Sequence, residues 1–211
     1  MSAARRGIPF VVSGPSGVGK STIVRRVLEA DPEVRFSISH TTRAPRDGEK
    51  DGVDYHFVSR PDFLAMKAAG QFLEWAVVHA ELYGTARSEY DRAREQGVDL
   101  LLDVDVQGAA QVRAQFADAV SIFILPPSYL ALERRLRGRG PNDEAQFRRR
   151  LDAAREELSL YREYEYAIVN EHLEDSVEEL KSVIRAARCR TGRVDGLAQR
   201  ILGTFPKHEE S

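Results

Sequence analysis

Residues 10–28 read FVVSGPSGVGKSTIVRRVL. A short apolar run leads into a glycine-rich turn, and the turn is followed by a pattern typical of a helix. The phosphate-loop pattern G-x-x-x-x-G-K-[ST] is met by Gly14, Gly19, Lys20 and Ser21. Glycines let backbone N–H groups converge on one point, and the helix N-terminus adds its positive end there. In such loops the lysine reaches the β- and γ-phosphates and the hydroxyl is placed to bind Mg²⁺.

The alternative interpretation is an ordinary glycine-rich turn between a strand and a helix, with a lysine on the surface. The flanking sequence decides between the two. Ile23, Val24, Val27 and Leu28 recur at helical spacing, and the pair Asp31-Pro32 ends that helix. Because a strand precedes the turn and a helix follows it, we favour the phosphate-binding loop.

Composition limits the classes of protein to consider. The 211 residues, 42% hydrophobic and 30% charged, predict one soluble domain. A net charge of −2 gives no nucleic-acid footprint, and no signal peptide or membrane-spanning run is visible. The single cysteine, Cys189, excludes an internal disulfide and suits a reducing compartment. We therefore expect a cytoplasmic protein without nucleic-acid or membrane partners. The five histidines show no metal-ligand spacing.

Apolar strand-like runs alternate with helical patterns along the chain. Residues 100–102 are followed by Asp103 and Asp105, and residues 168–169 are followed by Asn170. This alternation predicts a parallel sheet covered by helices on both faces. Ligands bind beyond the carboxyl edge of such a sheet, where the phosphate loop, the two aspartates and the asparagine would all lie.

Other segments carry more local signals. Residues 1–7 are expected to be disordered, 72–78 to form a strand interrupted by Glu74, and 82–85 to form a turn. Ser59 with Asp62, and Asp175 with Glu178, resemble capping boxes that would open helices. The tail is polar and predicts no further element.

Arginines are concentrated between residues 134 and 155. This segment contains eight arginines but only three acidic residues. Most have an acid within helical reach, which favours a solvated helix surface. Arg139 differs, because it lies between Gly138 and Gly140 and off the helix pattern. A planar, permanently charged group on such a hinge is suited to clamp a phosphate.

A second group of polar residues has a shared chemical logic, although each is unremarkable alone. Two arginines and two phenols can hold a phosphate, and a carboxylate can accept hydrogen bonds from the N1–H and N2–H₂ of guanine. Hydroxyls can add hydrogen bonds to the base. The group consists of Ser39, Arg43, Arg46, Tyr55, Glu74, Tyr83 and Thr85.

With these residues in view, the sequence closely resembles the guanylate kinases over about residues 8–190. The matching stretches are SGPSGVGKST, SHTTRAPRDGEKDGVDYHF, FLEWA, LYGT, LLDVDVQG, FILPPS, RLRGRG, RRRL and IVN. The resemblance implies an α/β P-loop three-layer fold with a parallel core sheet, an inserted GMP-binding subdomain and a helical lid. The implied limits are 8–37, 96–126 and 165–190 for the core, 38–95 for the subdomain, 127–160 for the lid and 191–211 for a polar tail. The lid stretch PNDEAQF departs from the acidic run usual in the family.

The resemblance also implies a reaction and residue roles. ATP and GMP would give ADP and GDP, with Mg²⁺ as the cofactor. The implied GMP contacts are Arg43, Arg46, Tyr55 and Tyr83 to the phosphate, and Ser39, Glu74, Thr85 and Asp105 to the guanine. The implied contacts to the transferring phosphoryl group are Lys20, Arg46, Arg139 and Arg150. The implied ATP site is Gly14, Pro15, Ser16, Gly17, Val18, Gly19, Lys20, Ser21 and Thr22, with Arg135 near the adenine and Asn170 at the nucleotide edge. Ser21 would bind the metal, and Asp103 and Asp105 would reach it only through water.

Two alternatives remain open from sequence. Domains similar to guanylate kinases also occur as non-catalytic modules that bind phosphorylated partners, but those typically lose a working phosphate loop, whereas this chain keeps Lys20 and Ser21. The chain could instead be a related kinase with another phosphorylated acceptor. The pairing of Glu74 with Thr85 argues for guanine.

Overall fold

The computed structural model describes residues 7–78, 80–138 and 144–205. The expected disordered start and the proposed hinge at Arg139 therefore lie essentially outside the described residues. The strands are, in chain order, β1 (Pro9–Ser13), β2 (Val34–Phe36), β3 (His40–Thr41), β4 (His56–Phe57), β5 (Phe72–Val78), β6 (Glu81–Ala86), β7 (Asp99–Asp103), β8 (Val120–Leu125) and β9 (Tyr166–Val169). The α-helices are α1 (Lys20–Ala30), α2 (Arg60–Ala68), α3 (Arg87–Gln96), α4 (Val106–Gln115), α5 (Tyr129–Arg137), α6 (Glu144–Ser159), α7 (Leu173–Arg188) and α8 (Thr191–Leu202).

Five parallel strands in the order β2-β7-β1-β8-β9 form the core sheet. Their side chains are apolar on both faces, as expected for strands covered on both sides. Residues of α1 and α7, among them Ile23 and Leu180, pack on one face. Residues of α3 and α4, among them Ala93 and Val112, pack on the other. The predicted α/β three-layer fold is confirmed.

The carboxyl edge of this sheet carries the polar residues that the sequence places there. The phosphate loop follows β1, Asp103 is the last residue of β7, and Asn170 directly follows β9. In register, Val12 of β1 lies beside Asp103. The order of the strands, and not proximity in sequence, brings these residues to one edge.

A second sheet, in the order β4-β3-β6-β5, is built from the chain between β2 and α3. The turn predicted at 82–85 is wrong, because these residues lie inside β6 and pair with β5. Glycine at position 84 allows a close approach of the strands, since a Cβ there would lie 3.0 Å from the carbonyl oxygen of Glu74. The chain reverses just before β6, where Ala80 has a φ of 70°.

Two helix predictions need correction. The Ser59 cap of α2 is confirmed, since its hydroxyl accepts from the backbone N–H of Asp62. However, α7 begins at Leu173, so Asp175 lies within its first turn and does not cap it. The segment expected to be only a polar tail forms α8, because Val194, Leu197 and Ile201 recur at helical spacing, although these side chains remain exposed.

In the part of the chain that is described, no helix is both long and apolar enough to cross a membrane.

Candidate active site

The phosphate loop joins β1 to α1 with the conformation that its glycines allow. Gly14 and Gly19 have φ values of 138° and 97°, which side chains rarely adopt. A Cβ at Gly14 would also lie 2.4 Å from the carbonyl oxygen of Ile124. Gly19 caps α1, so the free N–H groups of the helix face the loop. The loop therefore has the conformation that the sequence predicts.

Lys20 and Ser21 open α1 beside the acids of the neighbouring strand. The Lys20 ammonium donates to the carbonyl oxygen of Gly14 at 2.5 Å, and the Ser21 hydroxyl donates to the Asp103 carboxylate at 3.2 Å. Asp105 caps α4 by accepting from the backbone N–H of Gly108 at 2.8 Å. Burial raises the pKa of both aspartates, and the charge of Lys20 opposes that rise.

Two predicted ATP-site residues support the loop from behind. The Asn170 amide donates to the carbonyl oxygen of Val18 at 2.6 Å, and Arg135 donates to the same oxygen at 3.2 Å. Arg135 also donates to the carbonyl oxygen of Asn170 at 3.0 Å. Val18 is fully buried in the core. These contacts hold the backbone of the loop at Val18.

A second arginine, from helix α6, also reaches the phosphate loop. Arg150 of α6 donates to the Ser16 hydroxyl at 3.3 Å. Most arginines of this segment are expected to form exposed ion pairs with nearby acids. Arg137 does so with Glu133 and Glu144. Arg150 and Arg135 therefore face the phosphate loop, whereas Arg137 and Arg148 pair with acids on the surface.

Across the cleft, Glu74 of β5 is a buried acid. Its exposed fraction is 4%, and burial raises the pKa of its carboxyl to about 7, although hydrogen bonds from Thr85 oppose the rise. Thr85 is fully buried beside it, and its hydroxyl lies 3.4 Å from the Ser39 hydroxyl. Three of the predicted guanine-binding residues, Ser39, Glu74 and Thr85, therefore form one connected group.

The predicted phosphate-binding residues of the second sheet are organised by an acid that the sequence reasoning missed. Arg43 donates two hydrogen bonds of 2.9 Å to Glu49, which also accepts from the backbone N–H of Arg46 at 2.8 Å. The Arg43 guanidinium lies 5.4 Å from the Tyr55 ring centre, and the Tyr55 and Tyr83 rings lie 5.9 Å apart. Burial raises the pKa of the Tyr55 phenol, so it keeps a proton to donate.

The two walls enclose a cleft of about 340 Å³. It is lined by the phosphate loop on one side and by the second sheet on the other. The predicted site residues that line it are Gly14, Pro15, Ser16, Gly17, Gly19, Lys20, Ser21, Ser39, Arg46, Tyr55, Glu74, Tyr83 and Asp105. Those placed around it without lining it are Val18, Thr22, Arg43, Thr85, Arg135, Arg150 and Asn170. Arg139 lies outside the described residues.

Glu157 also lines the cleft, although the sequence reasoning did not single it out. It lies on α6 two turns after Arg150, on the same helix face. Burial raises the pKa of its carboxyl, and the Lys20 charge opposes the rise. The i, i+7 spacing of Arg150 and Glu157 indicates that both lie on one helix face. The sequence alone does not show that this face meets the cleft.

Known proteins similar to this chain show the family to which it belongs. The model of the guanylate kinase family matches residues 6–187. The guanylate kinase of Syntrophotalea carbinolica is 53% identical over 93% of this chain and 94% of its own length, and that of Geobacter metallireducens is 47% identical over 90% and 94%. The crystal structure of guanylate kinase from Anaplasma phagocytophilum covers 96% of this chain and 97% of its own, with a TM-score of 0.80 and 35% identity. The non-catalytic alternative is thus not favoured. The chain belongs to the guanylate kinase family, the ATP:GMP phosphotransferases.

Proposed function

We propose that this guanylate kinase holds ATP on the phosphate loop and GMP on the second sheet, and transfers the γ-phosphoryl group across the cleft between them. The observation that carries the proposal is a single cleft with an anion-binding loop on one wall and the buried Glu74 on the other. The GMP phosphate is itself the nucleophile, so no protein nucleophile is needed. The chain supplies position and positive charge.

At the ATP end, the backbone N–H groups of the loop would bind the phosphates. Lys20 would exchange its contact with the Gly14 carbonyl for the β- and γ-phosphates. Arg135 and Asn170 would border the base and ribose side while holding the loop.

The residues next to the loop fit Mg²⁺ that arrives with ATP. Ser21 and Asp103 offer a hydroxyl and a carboxylate oxygen 3.2 Å apart, which suits a cation that keeps several waters and is shared with substrate phosphates. In residues 7–78, 80–138 and 144–205, no group of three or more His, Cys, Asp or Glu could hold a metal on its own. Ser21 would bind the ion directly, with Asp103 and Asp105 acting through water. Bound there, Mg²⁺ would neutralise phosphate charge.

At the GMP end, residues 38–95 would form the binding subdomain. Arg43, Arg46, Tyr55 and Tyr83 would bind the phosphate, with Arg43 oriented by Glu49. Glu74 would read guanine, supported by Ser39, Thr85 and Asp105. The lid, residues 127–160, would bring Arg139 and Arg150 to the transferring group. We also propose a cytoplasmic location, which the single cysteine supports.

A direct test of the substrates is the rate of ADP formation with GMP, AMP, CMP and UMP as acceptors, in the presence of ATP and Mg²⁺. We expect GMP to be preferred by about 30-fold or more, because a base that leaves the Glu74 carboxylate buried without its partners loses ~2 kcal/mol or more. Equal rates with AMP would contradict the assignment of the guanine site.

Replacing Arg150 with lysine is expected to lower kcat by about 10- to 100-fold while the KM for GMP changes little. A lysine keeps the charge but cannot reproduce a bidentate contact, and hydrogen bonds to charged groups contribute ~1.5–3 kcal/mol. Steady-state kinetics with varied GMP and ATP measures this. Arg148→Lys on the exposed face of α6 is the matched control. An unchanged kcat would exclude the clamp role of Arg150.

The raised pKa of Glu74 predicts a pH dependence of GMP use. Guanine needs the ionised carboxylate, so kcat/KM for GMP should be high above pH 7 and fall about tenfold per pH unit below it. The phosphate of GMP titrates near pH 6 and adds its own slope. The profile of Glu74→Gln reports that slope alone. Superimposable profiles for the two proteins would contradict the prediction.

A further inference from the structure

Strand β5, which carries Glu74, is an edge strand of the second sheet. On one side it pairs with β6, where Glu74 lies opposite Thr85 and Trp75 lies opposite Gly84. The other side of an edge strand has backbone N–H and C=O groups that need partners when they are shielded from water. In this molecule that side faces helix α4 of the core.

Helix α4 satisfies these groups with glutamine side chains. The Gln111 amide accepts from the Trp75 N–H at 3.2 Å and donates to the Trp75 carbonyl oxygen at 2.7 Å. Gln115, one turn later, donates to the Leu73 carbonyl oxygen at 2.6 Å. A carboxamide presents a donor and an acceptor side by side, as a peptide group does, so Gln111 acts as one residue of an additional strand. The contacts fall on Leu73 and Trp75, the two neighbours of Glu74.

The same helix face also touches the Glu74 side chain. Gly108 lies three residues before Gln111, and a Cβ there would lie 2.4 Å from a Glu74 carboxylate oxygen. Asp105 lies three residues earlier again and caps the helix through the Gly108 N–H. Asp105, Gly108 and Gln111 therefore share the face of α4 that meets β5. Helix α4 therefore binds the backbone on both sides of Glu74 and lies close to its carboxylate.

We propose that Gln111 is a positioning residue for guanine selection. Its hydrogen bonds to Trp75 hold β5 at a fixed position along α4, so that both Glu74 carboxylate oxygens are aligned with the base. The proposal rests on the proposed role of Glu74 as the guanine reader. Two parallel hydrogen bonds to guanine demand alignment of both oxygens, and a misplacement of about 1 Å can cost on the order of 100-fold in rate. Without the Gln111 amide, the Trp75 N–H and C=O lose their partners, and β5 is free to shift along the helix.

The decisive variant is Gln111→Met, which keeps the length of the side chain and removes both hydrogen bonds. We expect kcat/KM for GMP and the GMP/AMP ratio of kcat/KM to fall about tenfold or more, with the KM for ATP within about twofold of wild type. Gln199→Met, at an exposed position of α8, is the matched control and should leave all three values unchanged.

A second variant tests the other contact of α4 without weakening the helix. Gly108→Ala adds a Cβ against the Glu74 carboxylate, while alanine favours a helix over glycine by about 1 kcal/mol. We expect the GMP/AMP ratio to fall with an unchanged melting temperature or a higher one. Should Gln111→Met fail to fold, Gln111→Asn replaces it, because its side chain is one methylene shorter and cannot keep both bonds to Trp75, and the same fall in the GMP/AMP ratio is expected.

Glu74→Gln is measured in parallel, so that the positioning role of Gln111 is tested separately from the guanine-reading role of Glu74. If Glu74→Gln lowers the GMP/AMP ratio but the α4 variants keep the wild-type ratio, Gln111 is only structural and the positioning role is overturned. A lower melting temperature with a normal ratio has the same meaning. If Glu74→Gln itself keeps the ratio, the guanine reader is wrong and the positioning role falls with it.

Discussion

Lys20→Ala is expected to lower kcat by about 10²–10⁴-fold, because it removes a cation whose charge stabilises the transferring phosphoryl group, an effect of several kcal/mol. The fold should survive, since the loop is held by its glycines and by the contacts of Asn170 and Arg135 to Val18. The lysine contributes there only its bonds to the Gly14 and Pro15 carbonyl oxygens. Turnover at saturating ATP and GMP measures the loss.

The matched control for this variant is Lys181→Ala on α7, where the ammonium pairs with the exposed Glu178. Surface ion pairs contribute little, so its turnover should stay at the wild-type value. Thermal unfolding of both variants checks that the fold is intact. Near-wild-type turnover of Lys20→Ala would remove the phosphate-loop assignment.

Glu74→Gln is expected to lose most activity with GMP and to reduce discrimination against AMP. The wild-type carboxylate accepts from both guanine donors, whereas adenine offers an acceptor at N1 and only C2–H beside it. With the carboxyl ionised, well above its pKa of about 7, leaving this buried charge unpaired costs ~2–5 kcal/mol, or roughly 30- to 5,000-fold in discrimination. An amide can accept one guanine donor, but its NH₂ opposes the other. Residual binding should persist through the phosphate contacts.

The measurement is kcat/KM for GMP and for AMP in the two proteins. Glu179→Gln, at an exposed position of α7, makes the same chemical change away from the cleft and should behave as wild type. A wild-type preference below about tenfold would refute the role of Glu74, because even one unpaired buried charge predicts more. So would an unchanged GMP/AMP ratio in Glu74→Gln.

Local signals sufficed where structure depends on neighbours in sequence. The phosphate loop needs glycines at positions of positive φ, an apolar strand before it and an amphipathic helix after it, and all three occur within residues 10–28. The same holds for the α2 cap at Ser59 and for the buried strands β7 and β8. The local pattern led to the wrong prediction at Gly84. A glycine inside a strand, where another backbone approaches closely, cannot be told from a turn glycine by sequence alone.

By itself, the sequence determined the fold class, the anion-binding loop and the residue types that could bind a guanine nucleotide. Only the tertiary structure decided which side chains work together. Glu49 orients Arg43, which lies 6 residues away in sequence. Gln111 bonds to the backbone of Trp75, beside Glu74, over a separation of 36 residues. Glu157 reaches the cleft from α6. Contacts of this kind depend on strand order and on which helix face meets which edge. These are set by burial of the whole core, which no local pattern specifies.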